Sequence, residues 1–407
     1  MARTLRAAAQ SAGVPGGPRT GGSGAGRFNL GRKRMAPAGS ARGKRWVRGK
    51  GLSYLTPVVS VCRACGVPLP VSANHRWEEQ GRILSRDGAQ RLVIVEHKII
   101  NCVVTKVEKA VGGAIDRALT YAKAFDACQY VRSLMVGRKK YLVGYPLAKR
   151  PLYELLCDQA RILGLADASL RRYSRGKELA ISCTHCYNRY FFAGDILGAF
   201  YAVEEREAEI SIEESGGQIH FTARATGNER CEEVERYSFS WEVPLPGYIS
   251  YKRCDRCHTP FPVSFFSWDI GAGLMVDTFN GEPVALIDVA GINAAYTEAR
   301  AGFGSWVDDF LASETKELVD TLLPALEWKR RRPEERVRDL FFLAYRGMGN
   351  PVFTEPTADG LRARVENPFN YPIVAGIATS FLARGKAVSF DWERTMPGRL
   401  EINLHFL

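Results

Sequence analysis

Sliding the 407-residue sequence against itself by 192 positions lays Cys62 on Cys254, Cys65 on Cys257, Pro68 on Pro260, Pro70 on Pro262 and Gly81 on Gly273. The same shift lays Asn101 on Asn293, Gly112 on Gly304 and Asp116 on Asp308. No gap is needed from 62 to 119, and 13 of those 58 positions are identical. Self-similarity at a fixed long period is the mark of an internal duplication, so any fold proposed for one half must serve the other.

The likeness continues beyond 119, with a shorter linker in the second copy. Leu152, Leu155, Leu156, Ile162 and Leu163 recur at helical spacing, as do Val337, Leu340, Phe341, Ala344 and Tyr345, and each run stops near a glycine, Gly164 or Gly347. A turn at Ser174-Arg-Gly176 or Asp359-Gly360 leads into a strand. Second helices are predicted over Phe192–Val203 and Pro372–Ala383. Alternating apolar positions then flank a turn in each copy. Ile210 and Ile212 precede Gly216-Gly217, with Ile219 and Phe221 after it; Val388, Phe390 and Trp392 precede Pro397-Gly398, with Leu400, Ile402, Leu404 and Phe406 after it. Period-two alternation on both arms of a turn predicts a hairpin with one buried face. Both halves thus read helix, hairpin, helix, hairpin, an α/β (α+β) fold with antiparallel sheet.

Residues 331–407, above all VENPFNYPIVAGIATSFLARGKAVSFDWERTMPGRLEINL, resemble the 4-vinyl-reductase-type domain, and the segment 150–225, with SCTHCYNRYFFAGDILGAFYAVEEREAEISIEE, resembles it too. The resemblance implies an α/β fold enclosing a small, mostly hydrophobic ligand between helices and sheet, sometimes beside a zinc ion. It carries over Cys183 and Cys186 as candidate ligands in the first copy. The second copy has Asn367, Pro368 and Phe369 at that turn and no cysteine in its last hairpin. The expected organisation is a basic tail over 1–50 and a first repeat over 51–245, with a CxxC module (51–130) and a 4-vinyl-reductase-like module (150–225). The second repeat spans 246–407, with a CxxC module (246–330) and a 4-vinyl-reductase-like module (331–407).

Six of the ten cysteines lie in CxxC pairs: Cys62 and Cys65, Cys183 and Cys186, Cys254 and Cys257. A CxxC turn presents two thiolates from one tight loop, and two such turns complete the four-sulfur cage that zinc prefers. Redox pairs of the thioredoxin type need a strand-to-helix context that the Pro-flanked first and third pairs lack. Six ligands do not fill two four-sulfur sites. One arrangement joins Cys62 and Cys65 to Cys183 and Cys186, leaving Cys254 and Cys257 to recruit His258. Another joins equivalent knuckles through Cys62, Cys65, Cys254 and Cys257, and an iron–sulfur cluster on four thiolates is a third. His75 reads as a surface histidine, and His185 and His258 stand inside or beside knuckles. Cys102, Cys128, Cys157 and Cys231 read as small core residues or free thiols.

The net charge of +12 is confined to one place: residues 1–50 hold 12 Lys and Arg and no acid, leaving 44 basic and 44 acidic residues in the rest. Rich in Gly, Ser, Pro and Ala, this tail is expected to be disordered, and its charge suits nucleic acid or an acidic partner. The longest apolar stretch, about Pro372–Ala383, falls short of the ~20 residues a membrane helix requires. A soluble, cytoplasmic protein with no membrane contact is the expectation. No P-loop, GxGxxG, HExxH or GxSxG motif is present, so familiar nucleotide and hydrolase chemistries lack support. The acidic run Glu204, Glu205, Glu207 and Glu209 reads as a solvated face, and the aromatics Phe191, Phe192, Phe200, Tyr201, Phe369, Tyr371 and Phe381 as core. Three functions remain: binding or sensing of a small hydrophobic or aromatic ligand, a zinc-stiffened subunit that engages a protein partner, and a metal- or thiol-dependent enzyme, the last disfavoured for want of a catalytic set.

Overall fold

A computed structural model describes residues 59–111, 115–135, 145–227, 241–322 and 333–407, which all belong to one compact unit. The basic tail and Cys231 lie outside the described residues. In the first half a cysteine knuckle leads into helix α1 (Leu69–Asn74), strands β1 (His75–Glu78), β2 (Arg82–Ser85) and β3 (Arg91–Glu96), and helices α2 (His97–Val111) and α3 (Asp116–Leu134). Helix α4 (Lys149–Ile162), hairpin β4–β5 (Ser169–Ser174, Glu178–Cys183), helix α5 (Arg189–Glu204) and hairpin β6–β7 (Ala208–Ser215, Gln218–Ala225) follow.

The second half runs in the same order. After its knuckle come a 3-10 turn (Phe261–Phe265), β8 (Phe266–Asp269), β9 (Leu274–Asp277), β10 (Pro283–Asp288), α6 (Ala290–Phe303) and α7 (Trp306–Leu322). A 3-10 segment (Pro333–Leu340) continues into α8 (Phe341–Tyr345), then β11–β12 (Asn350–Pro356, Gly360–Glu366), α9 (Tyr371–Ala383) and β13–β14 (Val388–Met396, Arg399–Phe406). The predicted second helices fall on α5 and α9, the former beginning three residues before Phe192. The fold is a mixture of helices with three antiparallel sheets among the described residues: β1-β2-β3-β10-β9-β8, β4-β5-β7-β6 and β11-β12-β14-β13.

The two halves meet at the middle of the long sheet. β3 pairs with β10 so that Glu96 faces Val284, Ile94 faces Leu286 and Leu92 faces Asp288. Adding 192 to the β3 member of each pair gives the β10 member of the mirror pair, and Ile94 gives its own partner Leu286, so the register is two-fold symmetric about Ile94 and Leu286. Both strands are buried along nearly their whole length because both faces are covered. Val93, Val95, Ala285 and Ile287 turn to a large core shared with the helices, whereas Leu92, Ile94, Val284 and Leu286 turn to a smaller core under the knuckles.

The halves also exchange contacts. Gly164 follows α4 of the first half with φ +73°, and a Cβ there would meet the Val284 carbonyl at 2.6 Å. Gly347 follows α8 with φ +77°, and its Cβ would meet the Leu92 carbonyl at 2.6 Å. Leu286 N donates to Leu163 O (2.9 Å) and Ile94 N to Arg346 O (2.8 Å). The Trp77 indole donates to Tyr345 O, and that of Trp268 to Ile162 O. Each α4- or α8-type segment therefore closes on strands of the opposite half.

Within each half, a pair of asparagines ties helix to helix, with Asn188, Asn293 and Asn370 buried and Asn101 exposed. Asn188 and Asn370 cap α5 and α9, their side chains accepting from Tyr190 N and Phe191 N, and from Ile373 N. Their amides donate to Asn101 Oδ1 (2.9 Å) and Asn293 Oδ1 (3.1 Å), and those asparagines donate to Tyr187 O and Phe369 O. One expectation fails here: Glu204 is not part of a solvated face. As the last residue of α5 it points inward and takes Lys149 Nζ (2.9 Å), Tyr173 OH (2.9 Å), Tyr153 OH (3.3 Å) and Gly176 N (3.0 Å). Those donors compensate its desolvation. Among the described residues no helix is long and apolar enough to cross a membrane.

Candidate metal centre and ligand cavity

Each knuckle is built by two backbone bonds. Cys62 N donates to Val67 O and Gly66 N to Cys62 O, both at 2.8 Å; Cys254 N donates to Thr259 O and His258 N to Cys254 O, both at 2.9 Å. The turns close because Gly66 (φ +78°) and His258 (φ +59°) adopt left-handed conformations. Short bridges, Val61 with Pro68 and Arg253 with Pro260, fix the exits. The loops then face each other across the sheet's two-fold centre.

All four thiols meet there. Cys62 Sγ lies 3.7 Å from Cys254 Sγ, and Cys65 Sγ lies 3.4 Å from Cys257 Sγ. The four sulfurs lie within 4.8 Å of one another. A tetrahedral ion bonded to sulfur at ~2.3 Å spaces its ligands ~3.8 Å apart, so the cluster has the dimensions of a mononuclear four-sulfur cage. The separations are too long for disulfides, whose bonds are ~2.0 Å, and these cysteines are free. A multi-iron cluster interposes several atoms between thiolates and would require them farther apart.

The electrostatics suit a cation. Backbone N–H groups of Cys257 and Arg256 point at the Cys254 thiol and draw it down to about 6, which makes it a thiolate at neutral pH. For Cys62, burial acts upward but is outweighed by the N–H groups of Ala64 and Cys65 and by neighbouring thiols, so the net direction is down. Cys65 goes up, through burial first and then the crowding of thiols around it. An ion at the centre would neutralise this sulfur cluster, with Cys62, Cys65, Cys254 and Cys257 as its ligands and structural cross-linking as its chemistry.

Cys183 and Cys186 lie elsewhere. Cys183 ends β5 opposite Ile219, and Cys186 bridges to Ala166. Both are free, and the neighbouring Cys186 thiol together with burial pushes Cys183 up. Among the described residues they recruit no third metal-ligating atom into a cluster. His185 sits beside Asp167, whose carboxylate accepts from Thr184 N and His185 N. His75 is a correction: it is buried, with Nδ1 2.9 Å from Val71 O, and burial drives it down to about 4. Of the lone cysteines, Cys128 and Cys157 are buried and Cys102 is partly exposed.

His258 is exposed and outside the sulfur cluster. Its contribution is the left-handed backbone, which costs a non-glycine residue about 1 kcal/mol. His258→Gly is accordingly expected to raise the unfolding free energy by about 1 kcal/mol, less the entropy glycine adds to the unfolded chain. Metal content per chain should stay unchanged; its loss would make the imidazole a ligand after all.

A cavity of about 100 Å³ lies in the first half among α3, α4, α5, β5 and the end of β10. Its wall is mostly apolar, with Ala127, Val131, Tyr153, Ala160, Phe192 and Ile196, but Lys123, Asp195 and Asp288 also border it. These charged residues escaped the sequence reading. The only local signal is Lys123 and Asp126 at i,i+3 in a helix otherwise rich in alanine and aromatics. The corresponding region of the second half, with Val319 for Ala127 and Ile377 for Asp195, is a wider cleft of about 560 Å³. There Arg346 is held by Glu96 (2.7 Å) and Asp277. Compared with known proteins, the chain matches no protein-family model, no curated protein and no solved structure.

Proposed function

We propose that this protein binds a small, mostly hydrophobic molecule and that a zinc ion on Cys62, Cys65, Cys254 and Cys257 holds its two duplicated halves together. The observation that carries the binding role is the largely apolar cavity of the first half. Its volume is of the order of the ~150 Å³ that accommodates a benzene ring. The zinc assignment rests on the donor set: four thiols at tetrahedral spacing make a closed site, which stabilises a fold and leaves no open position for substrate. The resemblance of 150–225 and 331–407 to 4-vinyl-reductase-type domains supports the same reading, since such domains enclose a ligand between helices and sheet.

Toluene tests the cavity without regard to charge. In the zinc-loaded protein, rising toluene concentration is expected to raise the melting temperature as mass action on a folded-state site requires. Ala160→Phe, which fills the cavity, should abolish the rise. A wild-type protein indifferent to toluene, or a variant that responds equally, would overturn the binding role.

A further inference from the structure

We propose that the first-half cavity selects ligands carrying a protonated amine, with the ammonium seated against Asp288 and Asp195 and the apolar body against Val131, Phe192 and Ile196. The proposal rests on the cavity being a binding site and specifies the chemistry it selects.

Charge balance is the first reason. Lys123, on α3, is the base bordering the cavity, and it pairs with two acids and with the backbone carbonyl of a third, Asp288. Its Nζ lies 2.7 Å from Asp126 Oδ2 and 3.6 Å from Asp195 Oδ1, and it donates to the Asp288 carbonyl at 3.3 Å. Lys123, Asp126 and Asp288 are each at most 6 % exposed. Fully ionised, the four groups carry a net charge of −2, and an uncompensated buried charge is costly enough that proteins neutralise it by protonation or by a counter-ion.

Unused acceptors are the second. Asp195 Oδ2 accepts from the Tyr187 hydroxyl at 2.9 Å, and Asp288 Oδ1 from Ala290 N at 3.0 Å. Asp126 Oδ1 and Asp288 Oδ2, both buried, receive no donor from any other group, and a proton on Asp288 lets the two carboxyls hydrogen-bond each other. An ammonium in the cavity beside Asp288 and Asp195, with three N–H donors, can take the place of that proton at Asp288. Burial and the neighbouring Asp126 carboxyl drive Asp288 up, so a proton there offsets part of the excess charge, and burial pushes Asp195 up to about 6. A carboxylate cage for a metal ion is not formed, since no three ligand atoms converge there among the described residues.

The fold does not require the cluster, which is the third reason. Gly194 abuts Thr120 O as Gly376 abuts Ala312 O, which sets the correspondence between halves. By it, Lys123, Asp126 and Asp195 are replaced in the second half by Thr315, Leu318 and Ile377. Asp288 corresponds to Glu96, which Arg346 neutralises. The same helices therefore pack without the acid excess, and its retention in one half calls for a ligand.

Calorimetric titration of the zinc-loaded protein at neutral pH with benzylamine, and separately with toluene, tests this. Benzylamine is expected to bind at least ~10-fold more tightly than toluene. Asp288→Asn, which keeps the oxygen that accepts from Ala290 N, should remove that preference. Asp195→Asn provides the same comparison should the first variant fail to retain zinc and its circular dichroism. Equal affinities in the wild type, with toluene still bound, would overturn the amine inference alone; a preference that survives both variants would also overturn it. Binding of neither probe would overturn it together with the cavity role.

Discussion

Cys62→Ser is expected to empty the four-sulfur cage, lowering bound metal from one ion per chain to near zero and stability by several kcal/mol. Apparent binding energies of structural zinc sites reach ~10–16 kcal/mol, comparable with the ~5–15 kcal/mol that holds a domain folded. The cage here links loops 192 residues apart, over a core whose central residues Ile94 and Leu286 are at most 2 % exposed. Cys254→Ser should do the same, because the sulfurs are related by the two-fold symmetry of the register. Cys183→Ser should leave the metal in place, since that thiol stands outside the cluster. Elemental analysis with denaturant unfolding decides the matter: full metal in Cys62→Ser and Cys254→Ser, or its loss in Cys183→Ser, would refute the assignment.

Gly198→Ala is expected to cost about 2–4 kcal/mol through overpacking at a helix contact, although alanine is the better helix former by ~1 kcal/mol. The backbones of α3 and α5 touch here: an added Cβ would lie 2.2 Å from Ala124 O and 2.8 Å from Cys128 N. Neither is the end of a flexible side chain, so the helices must separate and the aromatics between α5 and its sheet must repack. Gly376→Ala should be similarly costly, with its Cβ 2.3 Å from Ala312 O. Gly302→Ala, in α6 with open space around it, is the control and should stabilise slightly. Chemical denaturation of the three variants checks this. A neutral Gly198→Ala would mean that α3 and α5 do not approach as closely as described.

Local features were legible because their causes are local. The knuckles are written in two cysteines, a left-handed position and the prolines that follow, and the hairpins in period-two alternation around glycine. The helices α5 and α9 were legible as apolar runs, but their caps were not. Asn188 and Asn370 cap through side-chain geometry, and their partners Asn101 and Asn293 lie at least 77 residues away. Glu204 was misread because a carboxylate in an acidic run looks solvated until Lys149 and two tyrosines are brought to it by α4 and β4. His75 was misread for the reverse reason: a polar residue followed by arginine gives no hint that β1 turns it into the interior.

Spacing and periodicity by themselves determined the mixture of helices with antiparallel hairpins and pointed to cysteine pairs suited to metal, although the run Val337–Leu340 read as helix is 3-10. Only the tertiary structure decided which pairs meet. Cys62 and Cys65 had two candidate partners, and the choice follows from the antiparallel pairing of β3 with β10, which sets the first and third knuckles face to face and leaves Cys183 at the end of a different sheet. The charged border of the cavity likewise exists only in three dimensions, because Asp288 comes from the second half and Lys123 and Asp195 from the first. Charge pairing across such separations depends on chain register and helix packing, neither of which local sequence encodes.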